Sequence, residues 1–457
     1  MKKILDFKEK HILVLGLARS GMNVAKLLTR LGAFVTVNDI TPKEKNEEAK
    51  ELESLEIPML LGKHDTHLFD EQDFAYVVKN PGIPYRNEML VEAQKRKIPI
   101  ITDIEVASRC VETPMIAITG TNGKTTTTMM TGEILNASSN HQVRLAGNIG
   151  YPMSEVVMEL QPKEQVVLEL SSFQLMGTET FHPHIAAITN LYSAHLDYHK
   201  DRTEYVESKW KIQQNMTKED YLILNFDQEE LRQLSQQTKA TVIPFSRQKE
   251  YTNGAYVKDG TLYFQQEEIM AVEEIGVPGE HNIENALVAI AIAKLSDVDT
   301  EVIRHVLMHF SGAKHRLQWV DRFHDVDFYN DSKATNRLAM LSALSGFDLQ
   351  HVILLLGGLD RGDENEVQPK DIVGLKGLVT FGEVKEKMAR CGKEANLSLI
   401  KEADSLQDAV QKAYTMAEKG DTILLSPAHA SWDAYRTFEE RGEEYMQCVA
   451  KLKEDVK

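Results

Sequence analysis

The sequence has few of the features that would tie it to a membrane or to an oxidising compartment. Its 457 residues include only three cysteines, none in a Cys-x-x-Cys spacing, so we expect no disulfide framework and a reducing compartment. No run approaches the ~18 apolar residues needed to cross a bilayer, and residues 1–10 are charged and lack the apolar core of a signal peptide. The sequence therefore predicts a soluble cytoplasmic protein that does not act on a membrane.

Positive charge is also in deficit. Lys and Arg together number 52 against 69 Asp and Glu, which gives a net charge of −17. A general nucleic-acid binder needs clustered cations to neutralise phosphates, so we expect no nucleic-acid partner. A nucleotide ligand stays compatible with this charge, because one phosphate site needs only a few local donors.

The chain does contain a regular alternation of short apolar runs and longer amphipathic stretches. This alternation predicts an α/β fold with parallel sheets, and the length suggests about three domains at roughly 150 residues each. Strands are predicted at 11–16, 33–38, 76–79, 115–119, 166–170, 185–189, 221–225, 326–329, 352–356, 378–381 and 422–426. Helices are predicted at 21–31, 43–56 and 280–295. Connectors at 107–114 and 310–315 divide the chain into domains 1–107, 108–312 and 313–457.

The strongest local motif is MIAITGTNGKTT at residues 115–126. An apolar strand leads into a glycine-rich turn, and Lys124 and Thr125 open a helix, so backbone N–H groups would point at phosphate oxygens. Lys124 would neutralise the β- and γ-phosphates, and Thr125 would place a hydroxyl on Mg²⁺. Ile118 stands where the standard spacing has glycine, so the motif is a shortened variant. A strand–turn–helix junction with chance glycines is the alternative, which the strand directly before GKTT disfavours.

A second glycine turn, GLARSG at residues 16–21, follows the first predicted strand. It lacks the middle glycine of the dinucleotide fingerprint, so it suits a nucleotide diphosphate better than NAD. Asp39, at the end of the second strand, could accept a hydrogen bond from a ribose or a base. A tight turn without any ligand is an equally good interpretation of this motif.

Several polar residues follow strands or open helices in the central part of the chain. Glu169 is a candidate Mg²⁺ ligand at the carboxyl end of a strand, or a glutamate satisfied by local backbone donors. His195 taken alone is more often structural, and Lys209, in a helix starting near residue 203, is by default a solvated lysine. Asn282 and Asn285 share one helical face and could bind an adenine edge or cap the helix.

The last domain has its own strand-to-helix turn. Asp331, Lys333 and Thr335, in DSKATN, place an anion, a cation and a hydroxyl directly after an apolar strand. An N-cap with an incidental lysine is the alternative. SPAHASWD at 426–433 repeats the strand-to-turn pattern in the same domain.

Taken in order, these motifs resemble the Mur ligase family over nearly the whole chain. The family-wide motifs are TGTNGKTT, GNIG at 147–150, LELSSFQL, His195 and HNIENA. DSKATN and SPAHASWDAYRTFEERG are similar to the members that add D-glutamate. The resemblance implies a three-domain α/β fold, with a Rossmann-like N-terminal domain, a central P-loop-type ATPase domain and a Rossmann-like C-terminal domain.

The resemblance also implies an activity. The expected reaction is ATP-dependent ligation of D-glutamate to UDP-N-acetylmuramoyl-L-alanine through an acyl phosphate, in the synthesis of peptidoglycan precursors. The expected cofactors are ATP, two Mg²⁺ ions and a CO₂-derived carbamate on Lys209, and the expected state is a monomer. The first domain would bind the UDP precursor, the central domain ATP and the last domain the amino acid.

The roles that the resemblance implies fall into five groups. The catalytic residues are Lys124, His195 and Lys209. The metal ligands are Thr125, Glu169, His195 and the carbamylated Lys209. The ATP contacts are Gly120, Thr121, Asn122, Gly123, Lys124, Thr125, Thr126, Asn148, Asn282, Asn285, Arg316 and Asp331. The D-glutamate contacts are Lys333, Thr335, Arg361, Ser431 and Phe438. The contacts to the UDP precursor are Leu17, Ala18, Asp39, Thr41, Asn80 and Gly82.

One departure from the family pattern and three rival functions remain. Arg361 stands where some relatives have lysine, and the two cations are not interchangeable. A sister ligase for another amino acid, or a folylpolyglutamate synthase, keeps the Asp of DSKATN but not the residues after it. A P-loop switch or transport ATPase would hydrolyse ATP without using the last domain. An NAD-dependent oxidoreductase has only the weak turn at Gly16 in its favour.

Overall fold

The computed structural model describes residues 2, 4–192, 198–312, 314–344, 346–360, 362 and 366–456. The predicted site residues His195 and Arg361 lie outside these ranges. Two compact units are present, one formed by Met1–Glu273 with Glu284–Leu307 and the other by Glu274–Ile283 with Met308–Lys457. Within the described residues the strands form three sheets. None of the described helices is both long and apolar enough to cross a membrane.

The first sheet has five parallel strands in the order β3-β2-β1-β4-β5. Its strands are β1 (His11–Leu15), β2 (Phe34–Asp39), β3 (Met59–Leu61), β4 (Tyr76–Lys79) and β5 (Ile100–Ile101). The accompanying helices are α1 (Arg19–Arg30), α2 (Glu47–Ser54), α3 (Leu68–Glu71), α4 (Glu88–Lys95) and α5 (Asp103–Ser108). The strand order reverses between β1 and β4, and ligands bind at such a switch point in open α/β sheets.

The helix predicted at 43–56 is wrong in its first turn. Residues Lys43–Lys45 form a separate 3₁₀ turn, and α2 begins only at Glu47. Asn46 has an extended backbone, and its side chain accepts a hydrogen bond from the Ala49 N–H at 3.2 Å. Asparagine is a strong N-cap, so it fixes the start of the helix inside the predicted span.

The second sheet has nine strands in the order β14-β13-β12-β11-β10-β9-β6-β8-β7. Its strands are β6 (Ile116–Thr119), β7 (Val143–Gly147), β8 (Gln165–Glu169), β9 (Ile185–Ile188), β10 (Tyr221–Asn225), β11 (Thr241–Ser246), β12 (Ala255–Lys258), β13 (Thr261–Phe264) and β14 (Glu267–Ala271). The helices that follow them are α6 (Lys124–Ala137), α7 (Met153–Glu159), α8 (Ser172–Met176), α9 (Arg202–Trp210), α10 (Glu229–Leu234), α11 (Glu280–Leu295) and α12 (Thr300–His309). Strands β6 to β12 pair in parallel, as the alternation predicted.

The antiparallel end of this sheet was not predicted. β12, β13 and β14 pair as consecutive hairpins. Asp259 and Gly260 connect β12 to β13, and both have positive φ, at 45° and 74°. An Asp-Gly pair with positive φ at both positions is the signature of a tight hairpin turn, so the signal was present in the sequence.

The third sheet has six strands in the order β15-β16-β20-β17-β18-β19, parallel except for the β15–β16 pair. Its strands are β15 (Gln318–Phe323), β16 (Val326–Asn330), β17 (Val352–Gly357), β18 (Gly377–Phe381), β19 (Ile400–Glu402) and β20 (Thr422–Ala428). The helices are α13 (Arg337–Leu344), α14 (Pro369–Ile372), α15 (Lys385–Glu394), α16 (Leu406–Tyr414) and α17 (Phe438–Asp455).

The core of the second unit explains why its central strands are continuous apolar runs. All six residues of β17 are buried. Ile353 and Leu355 belong to one hydrophobic cluster, whereas Val352, Leu354 and Leu356 belong to another. Successive side chains of a strand point to opposite faces, so the two clusters cover the sheet on both sides. Polar side chains therefore lie at the ends of the central strands.

Candidate active site

The glycine-rich loop between β6 and α6 has the conformation that its sequence predicts. Gly120 and Gly123 have positive φ, at 148° and 79°, and Gly123 is the N-cap of α6. A Cβ at Gly120 would lie 1.9 Å from Thr189 Oγ1, and one at Gly123 would lie 2.2 Å from Asn285 Oδ1. Both positions therefore require glycine for space as well as for backbone conformation. The loop leads directly into a helix N-terminus, which is a ready anion-binding site.

The end of the neighbouring strand β9 holds this loop in place. The Thr189 hydroxyl donates to Asn122 O at 2.6 Å, and the Asn190 side chain accepts from Asn122 N–H at 2.9 Å and donates to Asn122 O at 3.2 Å. The hydroxyls of Thr121 and Tyr205 are hydrogen-bonded at 2.8 Å. Sequence reasoning missed Thr189, Asn190 and Tyr205 as supports. The rule that polar residues at the ends of adjacent parallel strands meet could have found the first two.

Lys124 is the first residue of α6, and its side chain curls back over the loop. Its Nζ donates to Thr121 O at 2.8 Å. The helix that it opens is unusually rich in threonine, and the Thr125 and Thr127 side chains are buried. The ammonium group therefore lies at the loop, where the sequence placed it, and the residue does not serve the core.

Lys209 is not the solvated lysine that its helical position suggested by default. It is 2% exposed, and its Nζ donates to Gly120 O at 2.7 Å. The amine also lies 4.9 Å from the centre of the Tyr205 ring. Burial, reinforced by the charge of Lys124, holds the pKa of the Lys209 amine well below its usual range, although Glu169 acts in the opposite direction. The default expectation fails because α9 packs this face inward.

Glu169 ends β8 and is 1% exposed. Its Oε1 accepts a hydrogen bond from Asn148 Nδ2 at 2.8 Å, and Asn148 N–H donates to Glu169 O at 2.8 Å. Its Oε2 is buried and finds no hydrogen-bond donor among the described residues. The alternative of a glutamate satisfied by local backbone donors is therefore not what the structure shows for this side chain.

An unpartnered buried carboxylate oxygen fits a cation site. Hard cations such as Mg²⁺ take oxygen ligands, and burying an uncompensated carboxylate is costly without one. Of the predicted metal ligands, Glu169 supplies the free oxygen and Thr125 a buried hydroxyl. No group of three or more His, Cys, Asp or Glu that could hold a metal occurs within the described ranges, which do not include His195.

Glu169→Gln tests this interpretation. We expect the variant to be at least as stable as the wild type without Mg²⁺, because a buried carboxylate with one oxygen that lacks a hydrogen-bond donor is replaced by a neutral amide. We also expect Mg²⁺ with ATP to raise the unfolding temperature of the wild type but to have little effect on the variant. Thermal unfolding with and without Mg²⁺ and ATP measures both effects, and the exposed Glu207→Gln in α9 is the control. Equal stabilisation of Glu169→Gln and wild type by Mg²⁺ and ATP would contradict the assignment.

The two predicted adenine contacts lie in different units. In the first unit, Asn285 is buried, and its Oδ1 accepts from Thr127 Oγ1 at 3.1 Å, which ties α11 to α6. In the second unit, Asn282 is also buried, and its Nδ2 donates to Pro278 O at 2.6 Å. Each amide thus makes a hydrogen bond within the protein, independently of any contact to a ligand.

The switch point of the first sheet brings the predicted UDP-precursor residues together. A Cβ at Gly16 would lie 2.8 Å from Asn80 Cβ, so the loops after β1 and β4 are in direct contact. The two carboxylate oxygens of Asp39 each accept a backbone N–H at 2.6 Å, one from Leu17 and one from Thr41. Asp39 therefore joins the turns after β1 and β2.

The other members of this group lie at the same edge. Ala18 is exposed and is the N-cap of α1, and Gly82 N–H donates to Asn80 Oδ1 at 3.2 Å. The buried Lys79, which the sequence did not single out, donates to Pro81 O at 3.0 Å and to Tyr198 OH at 3.1 Å. Burial lowers the pKa of the Lys79 amine to about 7, against the attraction of Asp103.

In the second unit, Asp331 follows β16 and is buried. Its carboxylate accepts from Ser426 Oγ at 2.7 Å and from Leu317 N–H at 3.2 Å. Burial raises the pKa of Asp331 to about 7, although the Ser426 hydrogen bond and the charge of Arg316 act in the opposite direction. The charge of Arg316 therefore acts on the Asp331 carboxylate.

Of the predicted D-glutamate residues that the structure describes, Lys333 lies close to Phe438, the first residue of α17. Lys333 Nζ lies 5.7 Å from the centre of the Phe438 ring, a cation–π distance. Lys333 N–H donates to His315 O at 2.9 Å, and Thr335 N–H donates to Lys333 O at 2.9 Å. Ser431 is buried, three residues beyond the end of β20. The strand-to-helix turn predicted for DSKATN is confirmed, because β16 ends at Asn330 and α13 begins at Arg337.

Three protein-family models match consecutive parts of the chain. They are a Mur ligase MurD-like N-terminal domain at residues 10–102, a Mur ligase middle domain at 118–293 and a Mur ligase glutamate ligase domain at 315–429. Their order is that of the three sheets, so the predicted three-domain α/β fold is confirmed.

Individual relatives extend this likeness over the full length. The UDP-N-acetylmuramoylalanine--D-glutamate ligase of Enterococcus faecalis is 55% identical over 99% of this chain and 99% of its own. The enzyme of that name from Streptococcus pneumoniae is 52% identical over 99% of this chain and 100% of its own. The crystal structure of UDP-N-acetylmuramate-alanine ligase MurC from Thermotoga maritima shares the fold, with a TM-score of 0.56 at 19% identity, covering 97% of this chain and 100% of that chain. The chain therefore belongs to the Mur ligase family.

Proposed function

We propose that this protein is the ligase that adds D-glutamate to UDP-N-acetylmuramoyl-L-alanine, with ATP as the energy source, in the synthesis of peptidoglycan for the cell wall. The observation that carries the proposal is the full-length likeness, at 52–55% identity, to ligases with that name. The chain also has the DSKATN motif, which sister ligases and folylpolyglutamate synthase replace after its first residue.

The proposed reaction has two steps. A carboxylate is a poor electrophile, so the alanyl carboxylate of the UDP precursor first attacks the γ-phosphorus of ATP. The bond to the bridging oxygen breaks, ADP leaves, and an acyl phosphate forms. Lys124, at the loop, neutralises charge on the transferring phosphoryl group. The amine of D-glutamate then attacks the acyl carbon, and the tetrahedral intermediate expels phosphate. The attacking amine must be neutral, and either His195 or a carbamate on Lys209 could accept its proton.

Two Mg²⁺ ions would be held by Thr125, Glu169, His195 and the carbamylated Lys209. When bound, Mg²⁺ supplies positive charge to the phosphates and so assists their transfer. The buried free oxygen of Glu169 supports its part in this set. ATP would also contact Asn148, Asn282, Asn285, Arg316 and Asp331, beside the loop residues 120–126.

Carbamylation of Lys209 is supported by the state of its amine. CO₂ reacts only with a neutral amine, which an ordinary lysine with a pKa near ~10.4 rarely offers at neutral pH. Burial lowers the pKa of the Lys209 amine and so increases its neutral fraction. The modification would place an anion beside Lys124 that attracts Mg²⁺.

The proposed division of labour follows the three sheets. Residues 1–107 would bind the UDP precursor, through Leu17, Ala18, Asp39, Thr41, Asn80 and Gly82. Residues 108–312 would bind ATP. Residues 313–457 would bind D-glutamate, through Lys333, Thr335, Arg361, Ser431 and Phe438. The first sheet ends at Ile101 and the second begins at Ile116, which supports the first boundary.

The rival functions predict different products. We expect phosphate release from ATP with UDP-N-acetylmuramoyl-L-alanine only when D-glutamate is added, and not with L-glutamate, L-alanine or L-lysine. A P-loop switch or transport ATPase would release phosphate without any amino acid. A sister ligase would release phosphate with another amino acid, and an oxidoreductase would release no phosphate from ATP. A cytoplasmic location and a monomeric state stay predictions.

Lys333→Ala tests the assignment of the amino-acid site. We expect the KM for D-glutamate to rise by about ten- to a hundredfold, because a charge-assisted hydrogen bond to a carboxylate is worth roughly 1.5–3 kcal/mol. The KM for the UDP precursor should stay close to that of the wild type. The exposed Lys393→Ala in α15 is the control for loss of a positive charge in the same unit. A collapse of UDP-precursor binding, or equal use of L-glutamate, would withdraw the specificity assignment and leave a Mur-type ligase of unknown amino acid.

A further inference from the structure

Arg441 is a fully buried arginine in the first turns of α17. Its guanidinium donates four hydrogen bonds, all to neutral acceptors. Nε donates to Ser332 Oγ at 3.0 Å, and Nη2 donates to Ser332 O at 2.9 Å and to His429 O at 3.1 Å. Nη1 donates to Gly357 O at 3.4 Å, a longer contact. One side chain therefore joins the carboxyl ends of β16, β17 and β20.

These strand ends are the segments that carry the proposed D-glutamate residues. Ser332 directly precedes Lys333, and His429 lies two residues before Ser431. The Ser332 hydroxyl, besides accepting from the guanidinium, donates to Phe438 O at 2.8 Å. The positions of these three side chains thus depend on a single buried fork, because a guanidinium has fixed donor directions.

Gly358 shows how closely the turn after β17 packs on this arginine. Its φ is 139°, and a Cβ there would lie 2.2 Å from Ala430 O and 3.2 Å from Arg441 Nη1. Glycine is needed because the turn lies directly against both the guanidinium and the turn after β20. The three turns and the guanidinium therefore form one packed unit.

Among the residues that the structure describes, no carboxylate forms an ion pair with Arg441, although Asp433 and Asp331 attract its charge. Burial lowers the pKa of Arg441 to about 10, so the group stays cationic at neutral pH. A buried charge without a close partner is costly, and it attracts an anion placed nearby more strongly than a solvated charge would.

We propose that Arg441 is a positioning residue that sets the specificity for an acidic amino acid. It fixes the turns that carry Lys333, Ser431 and Phe438, and its buried charge favours a substrate with two carboxylates over one with a neutral side chain. The inference rests on the proposed function, since it concerns the amino acid bound in this unit.

The test compares Arg441→Met and Arg441→Lys with wild type, using D-glutamate and its neutral analogue D-glutamine. In Arg441→Met we expect the KM for D-glutamate to rise by about tenfold or more, and the preference for D-glutamate over D-glutamine to fall by a similar factor. The KM values for ATP and the UDP precursor should stay within about twofold of the wild-type values, because the change affects only the amino-acid site. Arg441→Lys keeps the charge and should restore part of the preference. Arg390→Met, at an exposed position of α15, is the matched control.

Ser332→Ala gives a second route if Arg441→Met does not fold. The substitution removes one acceptor of the guanidinium and the hydrogen bond to Phe438 O, but it keeps the buried charge of Arg441. It should raise the KM for D-glutamate alone. An unchanged KM for D-glutamate, or an equal rise of all three KM values with a lower kcat, would overturn the inference. Wild-type enzyme that does not use D-glutamate would overturn the proposed function and this inference with it.

Discussion

Replacing Lys124 with alanine is expected to lower the rate of ligation by about a hundred- to thousandfold, or roughly 3–4 kcal/mol of transition-state stabilisation. The side chain lies over the glycine-rich loop, where its Nζ donates to Thr121 O, and not in the core. Its loss should therefore remove charge from the phosphate site without unfolding the protein. Phosphate release in the presence of both substrates measures the rate, and circular dichroism measures the fold.

The control for this experiment is Lys218→Ala. Lys218 is an exposed lysine of the same unit, and its side chain is 86% accessible. The Lys218→Ala variant should therefore ligate at the wild-type rate. Near-normal turnover in Lys124→Ala would show that the loop does not bind the transferring phosphate, regardless of the rate of Lys218→Ala.

Lys209→Ala is expected to reduce activity by a similar factor, about a hundredfold or more, because the proposed carbamate would be lost. Added acetate should restore part of the activity, since a small carboxylate can occupy the space that the lysine leaves. Lys209→Arg should be inactive as well, because a guanidinium remains protonated and does not react with CO₂. Initial rates over a series of acetate concentrations, at constant ionic strength, measure the rescue.

Two comparisons separate this result from a general effect of acetate or of mutation. Acetate should not rescue Lys124→Ala, where a cation and not an anion is missing. Lys211→Ala, two residues further on, removes a partly buried amine that donates to Met176 O at 2.8 Å, and it should stay active. A fully active Lys209→Ala enzyme would disprove the carbamate, and so would mass spectrometry under CO₂ that found the amine unmodified in active enzyme.

Local sequence was enough to predict most of the fold and the loop. Apolar runs such as 352–356 identify central strands because both faces of the sheet are covered. The two glycines of TGTNGKTT predict a turn with positive φ, and both adopt it. The prediction of α2 failed because Asn46 caps the helix inside a stretch whose apolar periodicity indicated a longer one. The hairpin of β12 and β13 was not predicted although Asp259-Gly260 signals its turn.

The surroundings of the site could not be predicted in the same way. Whether Lys209 is solvated or buried depends on which face of α9 packs inward, and its contact with Gly120 O joins residues 89 positions apart. The orphan oxygen of Glu169 depends on the absence of donors from several elements. Arg441 gave no local signal, because its acceptors lie at the carboxyl ends of three strands that only the fold brings together.

The burial of Lys209 has a consequence for how the proposed modification would be supplied. Because only 2% of the residue is exposed, a hydrated anion would have to shed its water to reach the amine. Dissolved CO₂ and not bicarbonate would therefore be the reagent, and burial would slow both its entry and its escape. The carbamylated fraction, and with it the activity, would then lag behind a change in the CO₂ concentration around the enzyme.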